Sequence, residues 1–137
     1  MIIMSVDYGD VRTGIAVCDK MQILASPVCV ITEKDRERLA DKIKDLAVER
    51  KVERICVGVP QNMDGSYGFR SEACREFGGL LREKTGIQVD FQNERLTTVS
   101  AHNILTTVDV RGKKRKAVVD AVSAVLILED YMNSLKA

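Results

Sequence analysis

The spacing of apolar and polar positions changes several times along the chain, and each change marks an element. IIMSVD (2–7) is a short apolar run that ends on an acid. YGDVR (8–12) supplies turn residues, and TGIAVCD (13–19) is a second apolar run. SPVCVI (26–31) is a third, with Pro27 near its start, where a missing N–H is tolerated. Three such runs with short connections predict an antiparallel meander. Over DRERLADKIKDLAVERK (35–51) the period becomes helical, with Leu39, Ile43, Leu46 and Ala47 on one face and Thr32 with Asp35 as a capping signal. RICVGV (54–59) is continuously apolar, the pattern of a strand covered on both faces. A second helix carries Phe69, Ala73, Phe77, Leu80 and Leu81, and Gly86 lies just past its end. IQVDFQ (87–92) reads as a strand near a sheet edge, because Asp90 sits in its interior. Thr97 or Thr98 caps a third helix running to about residue 107, and the last helix, about 117–134, is apolar nearly all round.

The order βββαβαβαα predicts a single α/β domain over residues 1–137. Strands joined through helices must run parallel in right-handed crossovers, whereas the opening three can turn back on one another. The expected architecture is therefore a mixed five-stranded sheet flanked by helices, a three-strand antiparallel meander plus two parallel strands.

A net charge of +1 means that a nucleic-acid partner must be held by a local patch. Three Tyr, three Phe and no Trp are poor material for stacking single-stranded bases. Cys18, Cys29, Cys56 and Cys74 form no CxxC pair and read as small hydrophobes in a reducing cytoplasm. There is no signal-peptide pattern and no run long enough for a membrane span.

Three acids stand where a packed domain has little use for them. Asp7 ends the first strand, Glu94 follows VDFQN, and Asp120 lies inside KAVVDAVSAVLIL. Each has an ordinary explanation: Asp7 as a turn cap, Glu94 paired with Arg95 or solvated, Asp120 as an acid favoured by the helix dipole. Those explanations share the expectation that the three acids do not meet. The topology predicts that they do, since Asp7 and Glu94 both leave the carboxyl ends of parallel strands and the last helix brings Asp120. Like charges about 5 Å apart at an effective dielectric near 20 cost roughly 3 kcal/mol per pair. Protonation or a hard divalent cation, Mg²⁺ or Mn²⁺, would relieve that repulsion.

VGVPQNMDGSYG (57–68), which includes Asn62, runs from a strand into a Gly- and Asn-containing loop that opens a helix, an arrangement that aims backbone N–H groups at an anion. RGKKRK (111–116) puts Arg111, Lys113, Lys114, Arg115 and Lys116 in a basic loop just before the Asp120 helix, with a phosphodiester backbone as its natural partner. Arg12 adds to that surface. His102 lacks a partner motif and reads as a packing or surface residue.

DYGDVRTGIAV (7–17), ASPV (25–28), VGVPQNMDGSYG (57–68), NERLTT (93–98) and RKAVVDAVSAVLILEDYM (115–132) together resemble the YqgF family, also called RuvX. This is a family of pre-16S rRNA nucleases and Holliday-junction-resolvase-like proteins with an RNase H-like fold. The resemblance implies metal-dependent phosphodiester hydrolysis, with Asp7, Glu94 and Asp120 as catalytic residues and metal ligands and Mg²⁺ or Mn²⁺ as cofactor. Asp7 would bridge two ions. Arg12, Arg95 and the 111–116 segment would neutralise phosphate charge. The family often has Asp where this chain has Asn93, so position 93 is not counted as a ligand. The expected substrate is precursor 16S rRNA in the cytoplasm, with no membrane partner and a monomer or homodimer. The alternatives are a Holliday junction resolvase acting on branched DNA, which needs a two-fold dimer, and a non-catalytic nucleic-acid-binding factor.

Overall fold

The computed structural model describes residues 1–60, 68–94 and 112–136, with the backbone alone at 69, 112–121 and 136. The opening apolar runs pair as an antiparallel meander of β1 (Ile3–Asp7), β2 (Arg12–Cys18) and β3 (Ala25–Thr32). β4 (Arg54–Pro60) lies parallel to β1 on its other side, and β5 (Gln88–Glu94) lies parallel to β4. The strand order is β3-β2-β1-β4-β5, so the mixed sheet and the edge position of β5 are both as expected. The parallel steps pass through α1 (Arg36–Glu49) and α2 (Phe69–Thr85), and α3 (Gly112–Lys136) follows β5.

The sheet is covered on both faces. On one, Met4, Val6, Ile55, Val57 and Val59 pack against Leu39 and Ile43 of α1 and Phe77 and Leu81 of α2. On the other, Ile3, Ala16, Cys18 and Cys56 pack against Ala124, Ile127, Leu128 and Met132 of α3. This explains the unbroken apolar run of β4: alternate residues serve opposite layers. At Gly58 α3 lies close against β4: a Cβ there would sit 2.4 Å from Ile127 Cδ1. Cys18, Cys56 and Cys74 are buried free thiols, as their apolar settings imply.

Element ends follow local chemistry, with two corrections. Asp35 alone caps α1, its carboxylate accepting from the Arg38 N–H at 3.1 Å. Thr32, expected to share in that cap, is instead the last residue of β3. Gly86 closes α2 with φ 71, a left-handed conformation that suits glycine. α3 begins at Gly112, about a turn before the expected start, so Lys113, Lys114, Arg115 and Lys116 belong to a helix and not to a loop. Lys, Arg and Ala are strong helix formers, and no proline separates them from the apolar stretch. The helix expected over 97–107 and His102 lie outside the described residues.

The turn after β1 is tight. The Gly9 N–H donates to Thr13 Oγ1 at 3.3 Å, and that hydroxyl lies 3.4 Å from the Gly9 carbonyl oxygen, to which it donates. A Cβ on Gly9 would fall 2.0 Å from the Arg12 carbonyl oxygen, a backbone atom held by the β2 ladder. Gly9→Ala is therefore expected to destabilise the fold by about 1–3 kcal/mol, the usual cost of overpacking. A urea titration checks this: the midpoint falls and the slope stays unchanged.

Candidate active site

Strand direction and strand period together set the site. β1 and β5 both run parallel to β4, so Asp7 and Glu94, the last residues of their strands, come to one sheet edge. Side chains alternate along a strand. In β1, Ile3 packs against α3, and the Ser5 hydroxyl donates to the Ala124 carbonyl at 2.6 Å. Asp7 continues that series. In β5, Val89 and Phe91 pack on the α2 side, whereas the Asp90 carboxylate accepts from the Tyr131 hydroxyl of α3. Glu94 continues the Asp90 series, so Asp7 and Glu94 share an edge and a face.

Glu94 is the more unusual of the two, with only 7% of its surface exposed. Its Oε1 is buried and has no hydrogen-bond partner among the described residues. Burial, first, and then the Asp130 carboxyl beside it and the Asp7 charge push the Glu94 carboxyl up to about 8. Burial disfavours the charged form because a low-dielectric interior cannot solvate it, and neighbouring acids add to that effect.

Asp130 was not singled out in the sequence. It is an exposed acid near the end of α3, and only the packing of α3 on the sheet brings it to Glu94. Asp120 belongs to α3 one turn before Ala124, in the part described by backbone alone. Arg12 opens β2 at this same edge and is half-buried. Lys113, Lys114, Arg115 and Lys116 lie in the first turns of α3. Asn62, Arg95 and Arg111 lie outside the described residues.

Among the described residues, no group of three or more His, Cys, Asp or Glu side chains is placed to hold a metal ion. The donor chemistry of Glu94 nevertheless fits a cation. Its buried oxygen has acids nearby and, among the described residues, no hydrogen-bond partner, so a positive charge there would hold it ionised.

A family model described as "RuvX: Holliday junction resolvase" matches residues 1–134. The chain belongs to the RuvX family. Among the relatives of this RuvX chain is a protein of Heliobacterium modesticaldum, 45% identical over 137 residues, covering 98% of this chain and 90% of that one. Another, from Halothermothrix orenii, is 44% identical over 133 residues, covering 97% and 95%. Both bear the name "Putative pre-16S rRNA nuclease". The RuvX fold resembles that of Thermus thermophilus RuvC, solved in complex with a Holliday junction substrate, with a TM-score of 0.59, 13% identity and coverage of 100% and 98%. It also resembles the fowlpox virus Holliday junction resolvase, with a TM-score of 0.58, 15% identity and coverage of 98% and 99%. The chain thus has the RNase H-like fold of the RuvC-type resolvases. No helix among its described residues is long and apolar enough to cross a membrane.

The Glu94 carboxyl gives a pH signature in metal-free protein. Its folded pKa of about 8 lies above its ordinary value of 4.5, so the folded state holds the proton more tightly than the unfolded state does. The stability this contributes is complete below pH 4.5 and is lost as pH rises through about 8. Glu94→Gln removes that loss. With chelator present, the variant should gain on the parent protein between those limits by at most roughly 1.4 kcal/mol per pH unit. Paired urea titrations at pH 5, 6.5 and 8 measure the difference, and a gap that does not grow with pH would contradict the burial of Glu94.

Proposed function

We propose that this protein is a metal-dependent nuclease that processes the ends of precursor 16S rRNA in the cytoplasm. The observation that carries this reading is the partnerless buried oxygen of Glu94, at the same sheet edge and on the same face as Asp7. The names of the relatives support precursor rRNA as substrate. In this reading Asp7, Glu94 and Asp120 hold the cation and form the catalytic set. Mg²⁺ or Mn²⁺ bound there would supply Lewis-acid activation of water and of the departing oxygen.

The chain's own residues have separate tasks. Asp7 is held at the end of β1, where it pairs with Gly14 of β2 and follows directly on Val6, the last β1 residue in register with β4. Glu94 must give up its proton before it can act as a ligand, so cation binding releases a proton and strengthens as pH rises toward 8. Arg12, Asn62, Arg95 and the basic run from Arg111 to Lys116 attract and orient the phosphate backbone.

The family description and the RuvC-like fold favour a second reading, a resolvase of four-way DNA junctions. Incubating pure protein with a precursor 16S rRNA fragment and with a four-way junction, with and without Mg²⁺, separates the two. Asp7→Asn and Glu94→Gln are expected to cut at less than about a hundredth of the parent rate while remaining folded. Full cleavage by Asp7→Asn would sink both readings and leave a binding factor.

Replacing Lys113, Lys114 and Lys116 by Gln should leave the fold intact and lower affinity for single-stranded RNA. If all three contact phosphate, the slope of log K against log salt falls by about 2. Fluorescence anisotropy between 50 and 200 mM KCl reads that slope.

A further inference from the structure

Arg70 lies in the first turn of α2 and points back across the sheet edge at the turn that follows Asp7. One guanidinium nitrogen donates to the Tyr8 carbonyl. The other donates to Asp10 Oδ1 at 2.7 Å. The guanidinium carbon also stands 5.0 Å from the centre of the Tyr8 ring. That ring is stacked on Phe77 of α2, with centroids 4.3 Å apart and planes 6° from parallel. A single side chain therefore grips the backbone, the ring and the acid of the segment directly after Asp7.

These contacts differ in weight. The Asp10 side chain is 85% exposed, so its ion pair contributes little in water. The bond to the Tyr8 carbonyl is part-buried and charge-assisted, and the Tyr8 ring beneath it is buried. The carbonyl belongs to Tyr8, the first residue beyond β1, where the β1–β2 ladder has ended. Asp7 is held by the ladder on its N-terminal side, and on its C-terminal side Arg70 adds a restraint on Tyr8 to the Gly9–Thr13 hydrogen bonds further along the turn.

We propose that Arg70 is a positioning residue for Asp7: its guanidinium, clamped on the Tyr8 carbonyl and ring, fixes the turn after β1 and with it the direction of the Asp7 carboxylate. The inference rests on the nuclease reading for its effect on rate, but not for the clamp itself. Arg70 acts through Tyr8 and does not touch the reacting atoms. Misplacement of a reacting group by about 1 Å can cost on the order of 100-fold in rate.

Arg70→Ala and Asp10→Asn separate the clamp from the exposed ion pair. In metal-free protein, amide hydrogen exchange at Gly9, Asp10 and Val11 should accelerate at least tenfold in Arg70→Ala, with exchange in β4 and around Phe77 unchanged. Single-turnover cleavage of the precursor rRNA fragment should fall at least about 30-fold, with the Kd for the fragment within twofold of the parent. Asp10→Asn should stay within twofold on every measure. Unchanged exchange in Arg70→Ala would overturn the clamp, and so would acceleration spread over the whole protein. Cleavage within twofold of the parent, or a rate loss matched by a weaker Kd, would overturn the positioning role. If the parent protein cuts neither substrate, the nuclease reading fails, and the exchange measurement still decides the clamp.

Discussion

The parallel pairing of β1 and β5 through β4 is the constraint on which the site depends. Two acids 87 positions apart in the chain come to one edge because both strands end there. The twofold period of a strand does the rest. Had β5 paired one residue out of register, Glu94 would face the α2 layer and Asp7 the α3 layer. The register is held by packing: Val89 and Phe91 have their places beside α2, and Tyr131 grips Asp90 from the other face. The core therefore sets the geometry of the edge.

That geometry works against stability. Glu94 lies under α3 with an oxygen that no donor among the described residues reaches, beside the Asp130 carboxyl. A sequence shaped for stability alone would place Gln or Leu there. Protonation relieves the tension, and in the proposed reading a cation would do the same, competing with the proton for one carboxylate. Burial and the neighbouring acids push this carboxyl up to about 8, so near neutrality its charged form is disfavoured. Arg54, which lies near Asp90, shows the contrast within the same strand pair. There the Tyr131 hydroxyl, Gln88 and Arg54 all attend one carboxylate, and despite some burial its pKa stays below the ordinary value.

Most of the fold was legible in the sequence, because each layer of packing leaves its own period. The unbroken run of β4 announced two covered faces, and the single Asp90 announced an edge. Asp7 and Glu94 were visible as acids at the ends of strands. Arg70 and Asp130 were not, for a physical reason. Arg70 finds its partners about 60 residues away, one of them a backbone carbonyl that no sequence pattern marks. Asp130 looks like any solvated acid near a helix end until the packing of α3 is known. The start of α3 was misread because a dense basic run resembles a loop, although its residues are good helix formers. Thr32 was misread because a capping residue and a strand end draw on the same side chains.

The first turn of α3 carries the remaining logic. Lys113, Lys114, Arg115 and Lys116 crowd the positive end of a helix dipole, and no acid shares that turn. Each such charge is unfavourable by a few tenths of a kcal/mol in isolation, because cations belong at the other end. A polyanion reverses the sign of both terms, since it is drawn to the lysines and arginine and to the helix end alike. The same helix is fixed further along, at Ala124 by Ser5 and at Tyr131 by Arg54 and Asp90. Lys116 is one turn, about 6 Å, from Asp120. In the proposed reading, a phosphate backbone drawn to that end of α3 would lie close to the edge where Asp7 and Glu94 sit.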